Sequence, residues 1–231
     1  MDGPLPAPEL SPLKGEITIV EPDRAQRAIA RRSAETRATV PDLELGIEVD
    51  ADACLELAAA RGWSVTAQAL QACAVALREF PLANAAYRDG RFELYSRVNI
   101  GVTIATDHGQ VVPTVLDADA KSPAELDDEL ARLRARAHTG ELTPPELAGA
   151  TFTFSDLGEF GVHRPGVLIT PPQAAAVAAG AVRSLVVVRD GRVVPGHGLG
   201  LTLACDHRIL YGEHAGRFLA RIAESLEHPE T

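Results

Sequence analysis

Leu201-Thr-Leu-Ala-Cys-Asp-His-Arg-Ile-Leu-Tyr-Gly212 is the stretch on which the reading of this chain turns. Its first five residues make an apolar strand, and Asp206-His207-Arg208 sets three ionisable side chains at the strand's end. Gly212 leads into a helix whose Phe218, Ile222 and Leu226 recur at helical spacing and face inward. A histidine delivered at the end of a strand is placed to act as a base, because its unperturbed pKa of about 6.5 lies near working pH. Taken alone, the same residues also describe a structural histidine satisfied at a strand end.

Working outward, the chain alternates between helix and strand signals without strict repetition. Met1 to Pro12 is rich in proline and small residues and reads as a flexible arm, leaving residues 13–231 as one domain. Asp23 to about Arg37 predicts a helix with one charged face and with Ala28 and Ile29 on its apolar side. Leu43 to Val49 alternates as a half-buried strand does, and Asp50 is placed to cap a short helix. A second helix spans Thr66 to Phe80, with Leu70, Ala74 and Leu77 on one face and Pro81 as its stop. Asp89-Gly90 and Asp190-Gly191 are hairpin signals, and Val98, Ile100, Val102 and Ile104 alternate again.

The helix after Ser122 carries a full N-terminal signature. Ser122 caps it, Pro123 sits where a missing donor costs nothing, Glu125 completes the capping box, and Leu126, Leu130 and Leu133 form the buried stripe. From Ala150 the chain reads mostly as strands. The pattern predicts an α+β fold, a mixed β-sheet with helices packed on one face. Gly196-His-Gly-Leu-Gly200 opens a strand and not a helix, so it reads as a flexible approach to the histidine strand and not as a nucleotide loop.

Composition narrows the function classes. A net charge of −10 disfavours nucleic acid and anionic membrane as partners. Three cysteines, Cys54, Cys73 and Cys205, sit in apolar patterns and read as buried free thiols, which fits a reducing cytoplasm. With neither a charged-then-apolar leader nor an apolar run of about 20 residues, a soluble, cytoplasmic protein is expected. His108, His138, His163, His197, His214 and His228 lack metal-ligand spacing, so no metal is expected.

Asp206-His207-Arg208-x-x-Tyr211-Gly212 resembles the Asp-His-Arg-x-x-Asp-Gly signature of the acyltransferase (E2) catalytic domain of 2-oxoacid dehydrogenase complexes. In order along the chain, Val98 to Thr106, Gln110 to Val115, Asp117 to Ser122, Thr151-Phe-Thr-Phe-Ser-Asp-Leu-Gly158 and Pro171-Pro-Gln-Ala174 also follow that family's pattern. The resemblance runs from Asp23 to the C-terminus. It implies a chloramphenicol-acetyltransferase-like fold, a homotrimer or multiple of trimers with active sites between subunits, and direct acyl transfer without an acyl-enzyme. It also implies His207 as the base and Ser155 as the hydroxyl donor to the tetrahedral oxyanion. Asp206, Arg208 and Gly212 support the loop.

Tyr211 departs from the family's aspartate, which pairs with an arginine of the N-terminal helix; Arg27 occupies that helix region. A tyrosine can stack on a guanidinium or donate to an acceptor but cannot neutralise the charge. No lipoyl domain is expected ahead of the match, which makes freely diffusing acetyl-CoA the expected donor. In that respect it is similar to the stand-alone acetyltransferases of tetronate natural-product biosynthesis. That resemblance implies O-acetylation of a small-molecule hydroxyl acceptor. Two alternatives stand beside it: a dihydrolipoamide acyltransferase core, and a catalytically silent trimeric assembly subunit.

Overall fold

A computed structural model of the chain describes residues 9–11, 13–107, 109–189 and 191–229. In chain order its elements are β1 (Glu9–Ser11), β2 (Gly15–Ile17), α1 (Arg24–Thr39), β3 (Asp42–Asp50), α2 (Asp52–Arg61), α3 (Val65–Glu79), β4 (Ala85–Arg88) and β5 (Arg91–Leu94). There follow β6 (Ile100–Thr106), β7 (Gly109–Val111), β8 (Thr114–Val115), α4 (Pro123–Thr139), β9 (Phe152–Asp156), β10 (Ala175–Ala179), β11 (Arg183–Arg189), β12 (Arg192–Asp206) and α5 (Gly212–Glu227). The main sheet runs β11-β12-β10-β9-β6-β7, with β3 also on β12 and β8 also on β6. β10 and β6 each lie parallel to β9, while the β12 pairings are antiparallel, so the sheet is mixed as expected.

Alternation along the central strands separates two unlike faces. Ile100, Val102, Phe152, Phe154, Val177, Leu199, Leu201, Leu203 and Cys205 point to one side. There they join Leu70 and Leu77 of α3, Leu126 and Leu133 of α4, and Phe218 and Ile222 of α5 in a single buried core. Residues between them point the other way and are small: Ala176, Ala178 and Ala204 meet Val40, Val167 and Ile169 in a second, thin cluster. Helices α2 to α5 thus cover the apolar face. The C-terminal end of α1 lies on the small-residue face, where the Thr36 hydroxyl donates to the Ile169 carbonyl at 3.2 Å.

Local signals produced the elements for the reasons read from the sequence. Ser122 and Glu125 form the reciprocal cap of α4, and Asp89 and Gly90 take positive φ in the β4–β5 hairpin. Asp23 caps α1 in a capping box with Gln26. Ser64, and not Asp50, is a helix-capping side chain in this region: Ser64 caps α3, while Asp50 ends β3 and accepts from the Asp52 N–H at 3.2 Å without serving as the N-cap of α2.

Of the sequence expectations for this part of the fold, the flexible glycine run is the one corrected. Within the arm expected over 1–12, Glu9–Ser11 pairs antiparallel with Gly15–Ile17; residues 1–8 and 12 lie outside the described residues. The apolar side of α1 is not buried within the chain, since Ile29 stays 39 % exposed. The glycine run before His207 is regular strand, paired to both β11 and β3 at Gly198. Gly198 and Gly200 share the small-residue face, and a Cβ on Gly200 would overlap the His163 carbonyl, while one on Gly198 would overlap Leu185. These glycines are needed for close approach of neighbouring chain and not for flexibility. Asp190 lies outside the described residues, but Arg189↔Arg192 pairing and the positive φ of Gly191 close the hairpin as expected.

Among the described residues no helix is long and apolar enough to cross a membrane. Gly200→Ala is expected to destabilise the fold by about 1–3 kcal/mol through overpacking. Gly216→Ala, on α5 where an added Cβ meets nothing, is expected to stabilise it by about 0.5–1 kcal/mol. Urea unfolding midpoints of the two variants check the contrast, and shifts of the same sign would contradict it.

Candidate active site

His207 leaves the end of β12 in a tight, anchored turn. The Asp206 carbonyl accepts from the N–H groups of Ile209 and Leu210, both at 2.9 Å, and the Ile209 and Leu210 side chains are buried. The His207 N–H donates to the Pro41 carbonyl at 2.9 Å, and the Asp206 N–H to the Ala174 carbonyl at 2.8 Å. Backbone on three sides therefore holds the turn. The His207 side chain is exposed, and among the described residues its ring makes no hydrogen bond. Its one ring neighbour is Tyr211, edge-on at 5.9 Å between centroids.

Asp206 and Arg208 fix the turn's shape. The Asp206 carboxylate is buried and takes a bidentate pair from Arg208, Nε at 2.9 Å and Nη2 at 2.6 Å, with the Arg208 N–H also donating at 3.0 Å. The Asp206 carboxylate holds the Arg208 guanidinium pKa above its usual value. On its other side the guanidinium lies 4.4 Å from the centre of the Tyr87 ring, a cation–π contact from the β4–β5 hairpin.

Ser155 lies on β9, on the small-residue face, and its hydroxyl bonds the Thr103 hydroxyl at 2.8 Å. Its partner is thus another hydroxyl and not a base, which argues against a serine nucleophile. The thiols are no better placed to attack: burial pushes Cys73 and Cys205 up to about 12 and Cys54 up to about 11. All three are free, as the sequence suggested. Among the described residues no group of three metal-ligating side chains is found; His108 lies outside them.

Register measures how far Ser155 stands from His207. Ser155 pairs with Ala178, and Ala178 with Thr202, five residues before His207. That is about 16 Å along the strand and about 10 Å across two strand spacings, on the order of 19 Å in total. One chain therefore does not bring Ser155 and His207 together. A cavity of about 330 Å³ is present on the helix side, between α3 and the ends of β9 and β10, but its lining includes neither residue.

The remaining expected site residues divide. Tyr211 stands beside His207 and is 53 % exposed. Arg27 is not brought to the loop: it donates to the Pro22 carbonyl, in the first turn of its helix, about 15 Å along α1 from Arg37. Arg37 is the helix arginine near the turn, paired at 2.8 Å with Asp42, the cross-strand partner of Asp206. Gly212 begins α5, and a Cβ there would meet nothing, so no contact within the chain demands glycine. Tyr87, Pro41 and Thr103 are contacts that the sequence did not single out. The hairpin signal reached Tyr87 and the Val98 to Thr106 stretch contained Thr103, but neither marked the residue itself.

A mixed sheet backed by four helices, with an uncommitted histidine on a rigid turn at the end of its longest strand, defines an acyltransferase fold of the chloramphenicol acetyltransferase type. The chain belongs to the 2-oxoacid dehydrogenases acyltransferase (catalytic domain) family, whose model matches residues 14–231. It is 31 % identical over 224 residues to the dihydrolipoyllysine-residue acetyltransferase component of the pyruvate dehydrogenase complex of Rickettsia typhi, covering 93 % of this chain and 55 % of that protein. The chain thus spans about half the length of the curated relatives it matches.

Among solved structures, the Azotobacter vinelandii dihydrolipoamide acetyltransferase superposes with a TM-score of 0.89 at 26 % identity, covering 96 % of this chain and 97 % of that one. The cubic core of a pyruvate dehydrogenase multienzyme complex gives 0.90 at 27 %, covering 98 % of each. A chloramphenicol acetyltransferase gives 0.57 at 20 %, covering 85 % and 94 %, which is a likeness of fold alone.

Arg208→Met should leave the buried Asp206 carboxylate without its ion pair. The expected loss is about 3 kcal/mol of stability, at the low end for a broken buried pair because the Arg208 N–H still donates. Urea unfolding measures it; a loss under about 1 kcal/mol would mean that the pair does not hold the turn.

Proposed function

We propose that the chain transfers an acyl group between a coenzyme A thioester and a dihydrolipoyl thiol, in a site made by His207 of one copy and Ser155 of a second. The observation that carries this reading is the exposed imidazole of His207, free of hydrogen bonds among the described residues, on a turn anchored by backbone bonds and an ion pair. Two intervals support the roles. The study of the Azotobacter enzyme names a serine, a histidine and an asparagine in its catalytic mechanism. The serine-to-histidine interval there, 52 positions, equals that from Ser155 to His207, and its asparagine follows the histidine by four positions, as Tyr211 follows His207.

His207 takes the acceptor's S–H proton as the sulfur attacks the thioester carbonyl. The tetrahedral oxyanion accepts a hydrogen bond from the Ser155 hydroxyl. On collapse the carbon–sulfur bond to coenzyme A breaks, and the departing thiolate takes the proton back from the imidazolium. No bond to the enzyme forms, consistent with the high thiol pKa values and with the absence of a base beside Ser155.

Acid strength separates the possible acceptors. A thiol is a stronger acid than an alcohol by several pKa units, so it gives its proton to an imidazole at a much smaller cost, and an alcohol requires that attack be concerted with proton transfer. This difference and the relatives' names favour dihydrolipoyl groups over the hydroxyl acceptor expected from the sequence. O-acetylation of a small hydroxyl compound is kept as the second reading on one observation: Tyr211 puts an aromatic edge against the imidazole where the Azotobacter enzyme has an amide.

Acetyl-CoA consumption with dihydrolipoamide, set against a panel of primary alcohols, tests the choice, and faster turnover of an alcohol would reverse it. His207→Ala is expected to abolish transfer and Ser155→Ala to slow it about a hundredfold. Refolding these two impaired variants together should restore about a quarter of wild-type activity, because in a cyclic assembly with sites between copies about a quarter of the sites then receive both intact residues. Absence of any recovery would dismiss the shared site.

A further inference from the structure

Ser155 shares its face of the sheet with a second hydroxyl that no other part of the site explains. β6 and β9 run parallel and in register at Thr103↔Ser155, and the two oxygens stand 2.8 Å apart. A hydroxyl has one proton to give and two lone pairs with which to accept. An oxyanion only accepts. While the Ser155 proton points at Thr103, Ser155 has nothing to offer a tetrahedral intermediate. It can serve as donor only if the pair turns round, with Thr103 donating to Ser155.

We propose that Thr103 is a positioning residue of acyl transfer, donating its hydroxyl proton to Ser155 Oγ so that the Ser155 proton is free for the oxyanion. The proposal rests on the acyl-transfer reading of Ser155. No proton changes owner: each O–H rotates about its own C–O bond, and the hydrogen bonds reverse direction as charge appears. A hydroxyl that is itself accepting a hydrogen bond is a stronger donor, so the reversed pair polarises toward the oxyanion.

The placement suits the role. Thr103 is β-branched and stiff about χ1, and its strand is held between β9 and the β7 hairpin, which keeps the oxygen in place while its proton turns. A pair that served only to satisfy two half-buried hydroxyls would leave turnover untouched when Thr103 is changed.

The test is a double-mutant cycle on the full chain, assayed by acetyl-CoA turnover against the best acceptor. Thr103→Val keeps the branched shape and removes the donor. It should lower kcat about tenfold, the worth of one hydrogen bond of about 1.4 kcal/mol, and leave KM unchanged. Thr103→Ser should restore most of that loss. In Ser155→Ala, adding Thr103→Val should cost nothing further, because the group it serves is already gone.

Normal kcat in Thr103→Val beside a slow Ser155→Ala would overturn the inference and leave the reading of Ser155 intact, as would an equal loss in both backgrounds. A Ser155→Ala variant as fast as wild type, or a wild-type protein without transfer to any acceptor, would overturn both. Matched unfolding midpoints for Thr103→Val and wild type exclude a folding defect, and the Thr103→Ser rescue decides the case if the midpoints differ.

Discussion

β12 answers to two demands that its alternation alone keeps apart. Leu199, Leu201, Leu203 and Cys205 must enter the core under α2 to α5, while Gly198, Gly200, Thr202 and Ala204 must stay small enough for neighbouring chain to lie against the other face. A slip of one residue in its pairing would exchange the two sets, driving leucines into the space against the His163 carbonyl and glycines into the core. Pairing with β3, β10 and β11 is therefore fixed strongly, and with it the point at which the strand ends and His207 emerges. His207 is positioned by a strand register set mostly by core and close-packed residues of β12.

The turn that follows shows what a buried ion pair contributes. Burying the Asp206 carboxylate is costly, and Arg208 offsets that cost without making the pair a large net source of stability. What the pair does provide is a single shape. Its bidentate geometry, the Tyr87 ring behind the guanidinium and the backbone bonds to Pro41 and Ala174 leave the turn no alternative arrangement, yet none of them engages the imidazole. The anchoring of this turn falls on neighbouring side chains and on backbone groups, the His207 N–H among them, and leaves the imidazole itself unengaged among the described residues.

The sequence made local decisions legible and left long-range ones hidden. The α4 cap, the Asp89-Gly90 hairpin and the Phe218-Ile222-Leu226 stripe involve residues within a few positions of one another, so spacing and residue type suffice to read them. The candidate base was legible for the same reason, as a histidine at the close of an apolar run. Close approach is different: nothing in Gly196-His-Gly-Leu-Gly200 indicates that His163 will lie above it, and a run whose composition suggests flexibility is tightly packed. Thr103 and Ser155, 52 residues apart, meet only because β6 and β9 become parallel neighbours. Arg27 illustrates the opposite case within one chain. Lying on α1 made it a reasonable partner for the loop, but helix rise places it far from the α1 end that meets β3.

Rigidity turns the distance between Ser155 and His207 into an argument about assembly. Both are tied to strands of one sheet, through pairings in the middle of the core, and no hinge separates them. A gap on the order of 19 Å within such a sheet cannot close by loop motion or side-chain rotation, since both residues are carried by the same framework. The alternative is for copies to meet, so that the end of β12 in one copy comes to the small-residue face of another. The exposed side of α1 fits such a meeting, since it leaves Ile29 uncovered by its own chain. Under this arrangement association would do what domain closure does in other enzymes, bringing base and oxyanion donor together and excluding water from between them. Activity would then depend on the population of assembled copies as directly as on the chemistry of the imidazole.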